Sequence, residues 1–497
     1  MKTFFHFAIG SFVFIVLPIS ACTTNLKQAT DAYDQGNFGV AASSIDTLAP
    51  TKVKNGKMTI EVSYDRDQLW VGLEKAKMLG DAGKFNESID LFTHVDAEAE
   101  DLREIESWYL ENPFAIDAWD AGQFANDLGQ SVMGADQLPY LLQPYEMILV
   151  DAYASLYCLL HNKVGAAAYA RKIMRLQQFE KLDLQSAGYD DLTAPTAKMD
   201  SALLTSSSVK STDISFARIF SLGDFTGSKA RMKSTITAAR DVGAADPRVP
   251  FATVIQWAAF MKEGLIEECE EAAKQVKGSC GAETLSKQMM AFSKNLKNDY
   301  VLVLIDAGRG PVRSSFEVKF PFVIPNVGAS YFRAVYPDLV FRVADRPSNI
   351  MVGGVGKMEK ASIIDSIDAI AARNFQRREK ELWWTPTFRA VLRAVATVVA
   401  QATQKEEDKT SKAIIGLFGA AVAAAEQPDL RSWSTLPASQ YAALIPRPAN
   451  GMVNVELKSQ ASSGSIQVKV GPGSSIVYVR ALTPSIQTVQ TASVTRK

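Results

Sequence analysis

Three stretches of this chain repeat one arrangement, and that repetition constrains the fold more than any other feature. Each has a small residue, then a glycine, an aromatic residue or isoleucine two positions on, another small residue, and apolar residues at helical spacing. The first runs Ala29-Thr-Asp-Ala-Tyr33-Asp-Gln-Gly36-Asn-Phe38-Gly-Val-Ala41 and continues to Ile45 and Leu48. The second runs Ala76-Lys-Met-Leu79-Gly-Asp-Ala-Gly83-Lys-Phe85-Asn-Glu-Ser88 and continues to Phe92. The third runs Trp257-Ala-Ala-Phe-Met-Lys-Glu-Gly264-Leu-Ile266-Glu-Glu-Cys269 and continues to Ala273 and Val276. The spacing predicts pairs of amphipathic helices joined at the glycine, with small residues where the helices cross closely.

This pattern resembles the tetratricopeptide repeat. A weaker fourth copy runs from Tyr153 through Leu160 to Ala170 and Met174, with Asn162 near its turn. The copies are unevenly spaced and separated by polar stretches such as Ser206-Ser-Ser-Val-Lys-Ser-Thr212. The expected form is an irregular α-solenoid. In this register Cys269 falls at the small, buried crossing position, which favours a structural thiol over a disulfide with Cys280. Cys158, in the apolar run Tyr153-Ala-Ser-Leu-Tyr157-Cys-Leu-Leu160, is expected in the core as well.

Near Asp299 the period changes to that of strands. Tyr300-Val-Leu-Val-Leu-Ile305 reads as a buried strand and Asp306-Ala-Gly308-Arg-Gly310-Pro as a turn. Ser315–Phe320, Tyr331–Tyr336, Leu339–Val343, Val453–Leu457, Ser465–Val470 and Ser475–Val479 are further strand candidates. Ile363–Phe375 reads as a helix, followed by an Ala-rich helical hairpin from Phe388–Val399 and Ala413–Ala425 around the charged turn Lys405–Lys409. The hairpin segments are short for a bilayer span, which favours packing in a soluble core. The expected class is therefore α+β. An N-terminal irregular α-solenoid of tetratricopeptide-like helix pairs (22–295) precedes a β-sheet module (296–497) with an inserted Ala-rich helical hairpin at about 361–426.

The N-terminus indicates a compartment. Lys2 precedes an apolar run from Phe7 to Ile19, the length of a secretory h-region and too short for a membrane span of roughly 20 residues. Ile19-Ser20-Ala21-Cys22 then resembles a bacterial lipobox, making 1–21 a signal peptide and Cys22 the lipidation site. In the lipoproteins this resembles, Asp after the cysteine retains the protein at the inner membrane. Thr23 stands here, so the expected location is the periplasmic face of the outer membrane, lipid-anchored. Acyl chains attached together hold a protein far more firmly than one alone.

Several classes of chemistry find little support. Fifty-three Lys and Arg against 54 Asp and Glu give a net charge of −1, no footprint for nucleic acid. Hydrophobic content of 47% fits a folded chain of two or three domains. Val352-Gly-Gly-Val-Gly-Lys357-Met lacks the first glycine and the Ser or Thr of a phosphate loop, and reads as a glycine turn. Beyond the signal only His94 and His161 remain, without zinc or catalytic spacing; His161 is placed to end a helix. No catalytic residue, cofactor or metal is expected. The carboxylate pairs Asp365 with Asp368 and Glu267 with Glu271, each read as lying about one helical turn apart, are the features an enzyme reading would use.

Val303-Leu-Ile-Asp306-Ala-Gly308-Arg-Gly-Pro311-Val312, the Ile367-Asp-Ala-Ile370-Ala helix and Arg431-Ser-Trp433-Ser-Thr-Leu436-Pro437 occur in one order. With the lipobox and the helical repeats, they resemble an uncharacterised bacterial outer-membrane lipoprotein family with tetratricopeptide-like repeats. The resemblance implies a cell-envelope lipoprotein, encoded in some genomes beside a lipoprotein activator of penicillin-binding proteins, and implies no activity. The function expected is thus a periplasmic scaffold docking another envelope protein, linked to peptidoglycan synthesis or surface assembly. Arg309, Arg431 and Trp433 are the candidate partner contacts, with a homo-oligomer left open. The plainer readings weigh more: a tight strand connection for the Gly308–Pro311 turn, and an anchor packing the hairpin onto the β module for Trp433. The alternatives are a peptidoglycan hydrolase using paired carboxylates and a structural subunit of a large envelope complex.

Overall fold

The computed structural model describes residues 17–47, 51–60, 68–111, 140–186, 225–241, 244–295, 297–324, 328–343, 345–354, 356–377 and 429–494. The Ala-rich hairpin, residues 1–16 and the polar stretch 206–212 lie outside the described residues, and Cys22 falls within the bounds of the first helix. The class is mixed α+β, with eleven helices and several sheets among the described residues.

Helices α1 (Leu17–Asp34) and α2 (Phe38–Ser44) form the first pair, α3 (Gln68–Asp81) and α4 (Phe85–Glu111) the second. Next come α5 (Pro144–Leu160) with α6 (Ala166–Ser186), then α7 (Phe225–Asp241), α8 (Pro250–Glu263), α9 (Ile266–Cys280) and α10 (Glu283–Lys294). The four expected turns share one hydrogen-bonded closure. The amides of Asn37, Lys84, Lys163 and Leu265 donate to the carbonyls of Ala32, Leu79, Cys158 and Phe260. This closure places one residue in the left-handed region, which glycine adopts without a Cβ penalty. Gly36, Gly83 and Gly264 fill it, and Asn162 does so at φ 52° in the remaining pair.

The small crossing positions are also equivalent. Ser88 Oγ donates to the Ala76 carbonyl of the preceding helix at 2.6 Å, and Cys269 Sγ meets the Trp257 carbonyl at 3.7 Å. Cys269 is thus the counterpart of a serine. Cys158, Cys269 and Cys280 are all free and buried, so the pair considered for a disulfide is unbridged. Burial pushes the thiols up to about 11, 12 and 12, which makes them poor nucleophiles.

Strands β1 (Thr51–Lys54) and β2 (Lys57–Ile60) form a hairpin within the helical half, an element the helical reading of 22–295 omits. Its turn is Asn55-Gly56, both at positive φ, as a two-residue hairpin requires. After α10 come β3 (Tyr300–Ala307), β4 (Val312–Ile324), β5 (Gly328–Val340), β6 (Asn349–Gly354), β7 (Lys357–Lys360), β8 (Ser362–Ser366) and α11 (Ile367–Arg377). The remaining described elements are β9 (Ser439–Pro446), β10 (Met452–Lys458), β11 (Ser463–Lys469), β12 (Ser474–Ala481) and β13 (Gln487–Val494). Two expectations are corrected here: Ile363–Ser366 belongs to β8 and not to the following helix, and β5 ends at Val340, short of Val343. The glycine-rich stretch lies, as expected, at a turn, the one that joins β6 to β7.

A five-stranded sheet, β13-β12-β3-β9-β8, lies at the centre. Its β3–β12 pairing is parallel and the rest antiparallel. Strand β3 is buried throughout, which explains its apolar run from Tyr300 to Ile305. Val301, Val303 and Ile305 pack with Ile350, Val352, Val453 and Val455 of the second sheet, β11-β10-β6-β7. Tyr300, Leu302 and Leu304 face the opposite way, into the core shared with the helices. The result is three layers: helices, central sheet, second sheet.

Close approach of α3 and α5 depends on Gly80. A Cβ at this position would lie well inside van der Waals contact of Tyr157 Cε2 and Cζ. Gly80→Ala should therefore destabilise by about 1–3 kcal/mol, despite the roughly 1 kcal/mol that alanine gains in a free helix. Urea unfolding decides the matter, and a more stable variant would contradict the packing.

Candidate functional site

The helix-facing side of the central sheet carries polar groups where an apolar layer would be expected. Asp306 of β3 lies opposite Arg480 of β12 on one side and Gln440 of β9 on the other. One stripe of α3 meets them: Trp70, Glu74, Lys77 and Asp81 follow the helical repeat at four, three and four residues. Tyr153 and Tyr157 of α5 and Tyr33 of α1 complete the cluster. Lys77, Asp306 and Arg480 are 0% exposed and Asp81 is 1% exposed.

Two cations and two carboxylates balance in this volume. Lys77 Nζ donates to both Asp81 oxygens at 2.7 Å and to the Tyr478 hydroxyl at 3.0 Å, and lies 3.4 Å from Asp306 Oδ2. It also stands 4.6 Å from the centre of the Tyr153 ring, within cation–π range. Tyr153 and Tyr478 donate to Asp306 Oδ2, each at 2.7 Å, and Gln440 Nε2 donates to Asp306 Oδ1 at 3.0 Å. Arg480 Nε donates to Tyr33 Oη at 2.9 Å, and that hydroxyl donates to Asp81 Oδ2 at 2.5 Å. Burial pushes the Tyr33, Tyr153 and Tyr478 hydroxyls well above their ordinary range, with neighbouring carboxylates adding to the effect for all three. Burial alone would lower the Arg480 guanidinium, but Tyr33, Asp81 and Asp306 outweigh it and hold it above its usual value.

The same seam joins two stretches of the family resemblance. Gly310 N donates to the Leu436 carbonyl at 2.7 Å, and Ala438 N donates to Ala307 O at 3.0 Å. A Cβ on Gly310 would lie 3.0 Å from Leu436 O and 3.1 Å from Pro437 O, so a larger residue would press on this backbone contact. Arg480 Nη1 donates to Gly308 O at 2.7 Å, and Arg342 donates to Gly310 O and Ser434 O. From the helical side, the Glu74 carboxylate accepts from the amides of Ser434 and Thr435, and Trp70 Nε1 donates to Ser432 O at 2.8 Å.

The three candidate contact residues divide. Arg309, about one-third exposed, pairs with Asp34 at the end of α1. Arg431 is 6% exposed, pairs with Asp429 and lies over the Tyr140 ring. Trp433 is 2% exposed, donates its indole N–H to Thr435 Oγ1 at 3.0 Å and packs on Phe92 and Tyr153. Its ring is an anchor in the seam and not a solvent-facing aromatic. Beside it is a cavity of about 30 Å³, lined by Gln143, Glu146, Arg313, Asn374, Trp433 and Leu436, which is room for one or two waters.

The first carboxylate pair is split between two elements, and the second, Glu267 with Glu271, lies one turn apart on the exposed face of α9. Asp365, on β8, accepts from Phe251 N at 2.5 Å at the start of α8, while Asp368, on α11, pairs with Arg346. Glu271 pairs with Lys274 on the exposed face of α9. His161 ends α5 and hydrogen-bonds Asn86. Among the described residues no cluster of three or more His, Cys, Asp or Glu could hold a metal ion.

Lys77, Asp81, Glu74 and Arg480 carry no motif, since charged residues on a helix ordinarily mark its solvated face. The one available signal is the apolar flank of Arg480, Ile476-Val-Tyr-Val-Arg-Ala-Leu482, where a lone cation interrupts a buried strand. No family model, curated protein or solved structure matches the chain.

Removing one member of the network leaves an uncompensated charge. Lys77→Met should cost about 3–5 kcal/mol in urea unfolding, whereas adding Asp81→Leu restores balance and should recover a large part of that loss. Additive losses in the double variant would show that the charges do not act as one network.

Proposed function

We propose that this protein is a lipid-anchored scaffold at the periplasmic face of the outer membrane, docking another envelope protein through its helical half. The observation that carries the reading is the succession of helix pairs, each closed by the same turn. Pairs α1–α2, α3–α4 and α5–α6 pack one on the next, and α6 packs on α8 of the α8–α9 pair. Such stacking is the principle of tetratricopeptide-like solenoids, whose repeats present extended surfaces to other proteins. Uneven spacing makes this an irregular member of that class.

Two further features support the reading. The lipobox-like Ile19–Cys22 supplies the anchor. The sealed seam fixes the helical surface relative to the β layers, as a docking platform needs. The partner class, a protein of peptidoglycan synthesis or surface assembly, follows from the family resemblance alone. Among the described residues no helix is long and apolar enough to cross a membrane.

Metabolic labelling with palmitate in intact cells should mark the wild-type chain and leave Cys22→Ala unlabelled. Crosslinking in the same cells, followed by pull-down and mass spectrometry, should recover one stoichiometric envelope protein. Its recovery should fall when exposed residues of α6 such as Arg171 and Arg175 are replaced. Equal labelling of both chains would remove the anchor from the proposal. Recovery of bulk outer-membrane proteins alone would remove the scaffold.

A further inference from the structure

We infer that Asp151 is a proton-binding site built into the helical array, and that release of its proton loosens the packing of α4, α5 and α6. Asp151 lies midway along α5 and is 0% exposed. Neither of its carboxylate oxygens has a hydrogen-bond partner among the described residues. Every other buried carboxylate of the helical half discussed above is engaged: Asp81 by Lys77 and Tyr33, Glu74 by two amides, Glu146 by Tyr140 and the Gln143 amide. An ionised carboxylate in this position would be a buried charge without a direct partner, which proteins avoid by keeping the proton.

The surrounding charges explain why no cation takes the proton's place. Helix α4 contributes Asp96 and Glu100, and α6 contributes Lys172, Arg175 and Tyr169. Lys172 Nζ is committed to Asp96 Oδ2 and to Glu100 Oε1, the latter at 2.7 Å. Helix α8 directs Lys262 toward Cys158, seven residues farther along α5, and α3 directs Lys77 and Asp81 toward Tyr153 and Tyr157. Burial first, and then the Asp96 charge, drive the Asp151 carboxyl well above the ordinary carboxylate range; Lys172 and Arg175 oppose this only in part. Asp96 is itself raised by burial, so the two acids disfavour simultaneous ionisation.

The direction of the effect follows from linkage. The folded state holds this proton more tightly than the unfolded chain does. The associated stability is complete below the ordinary aspartate value of about 3.9 and is lost as pH rises through the raised folded-state value. Alkalinisation therefore acts on the α4–α5–α6 contacts, and the site stands independently of what the helical surface binds.

The test is thermal unfolding of the full chain and of Asp151→Asn between about pH 4 and pH 8, a window that starts at the ordinary aspartate value. The Tm of the variant relative to wild type should rise with pH, whatever its offset at pH 4. Asp151→Leu provides a second uncharged side chain should asparagine fail to pack. Infrared difference spectra at neutral pH should show a protonated-carboxyl C=O band in wild type that both variants lack. A Tm difference that is flat with pH, or a band unchanged by the substitutions, would overturn the proposal.

Discussion

Lys77, Asp81, Asp306 and Arg480 occupy one buried volume between the helices and the central sheet, and each half of the protein supplies one cation and one carboxylate. This mutual dependence is the constraint on which the rest of the structure rests. The helical half alone would bring Lys77 and Asp81 to an apolar face, and the sheet alone would bring Asp306 and Arg480. A buried ion pair is weak evidence for net stability, because desolvation offsets much of the attraction. Its stronger effect is to discriminate among alignments. A helix array displaced by one turn would leave charges unmatched at a cost of several kcal/mol, so the network acts chiefly on register. Tyr33, Tyr153 and Tyr478 extend that discrimination by accepting and donating hydrogen bonds in fixed directions.

Much of the helical half is legible in the sequence because glycine is rarely optional where a turn requires positive φ. Gly36, Gly83 and Gly264 mark three turns, and Asn162, the next most tolerant residue, marks a fourth. The long strands β3, β4, β5, β10, β11 and β12 show period-two alternation or an unbroken apolar run and are legible for that reason. Other strands are not. In β9, Ser-Gln-Tyr-Ala-Ala-Leu-Ile-Pro, alanine is small enough to suit either face, and Gln440 takes an inward position that alternation assigns to an apolar residue. In β13, an edge strand among the described residues, polar residues dominate and no apolar alternation marks it. The Asn55-Gly56 hairpin carries a strong local signal, but it interrupts a helical region in which sheet is not anticipated.

The seam is the least legible part, for a reason specific to buried polar groups. A charged residue gives no local indication of whether its partner is water or another side chain four hundred positions away. Lys77 and Tyr478 are 401 residues apart, and Tyr33 and Arg480 are 447 apart. Asp306 and Gly310 belong to a recognisable stretch, as do Trp433 and Leu436, yet nothing in either stretch indicates that they touch. Trp433 illustrates the resulting ambiguity. A tryptophan beside an arginine in a short connection fits an exposed recognition residue as well as a buried anchor, and only Phe92 and Tyr153, distant in sequence, distinguish the two.

The parallel pairing of β3 with β12 has a consequence for when the molecule can form. Strand β3 gains its antiparallel neighbour only at Ser439–Pro446 and its parallel neighbour only at Ser474–Ala481. A chain emerging from its N-terminus would therefore carry complete helix pairs long before the strand whose Arg480 pairs with Asp81 and donates to Tyr33 exists. Local turns can close early, since each joins residues five apart, while the layer beneath them must wait for nearly the last segment. Synthesis thus delivers a partly assembled body with an incomplete polar face, and the C-terminal strands act as its final fastening.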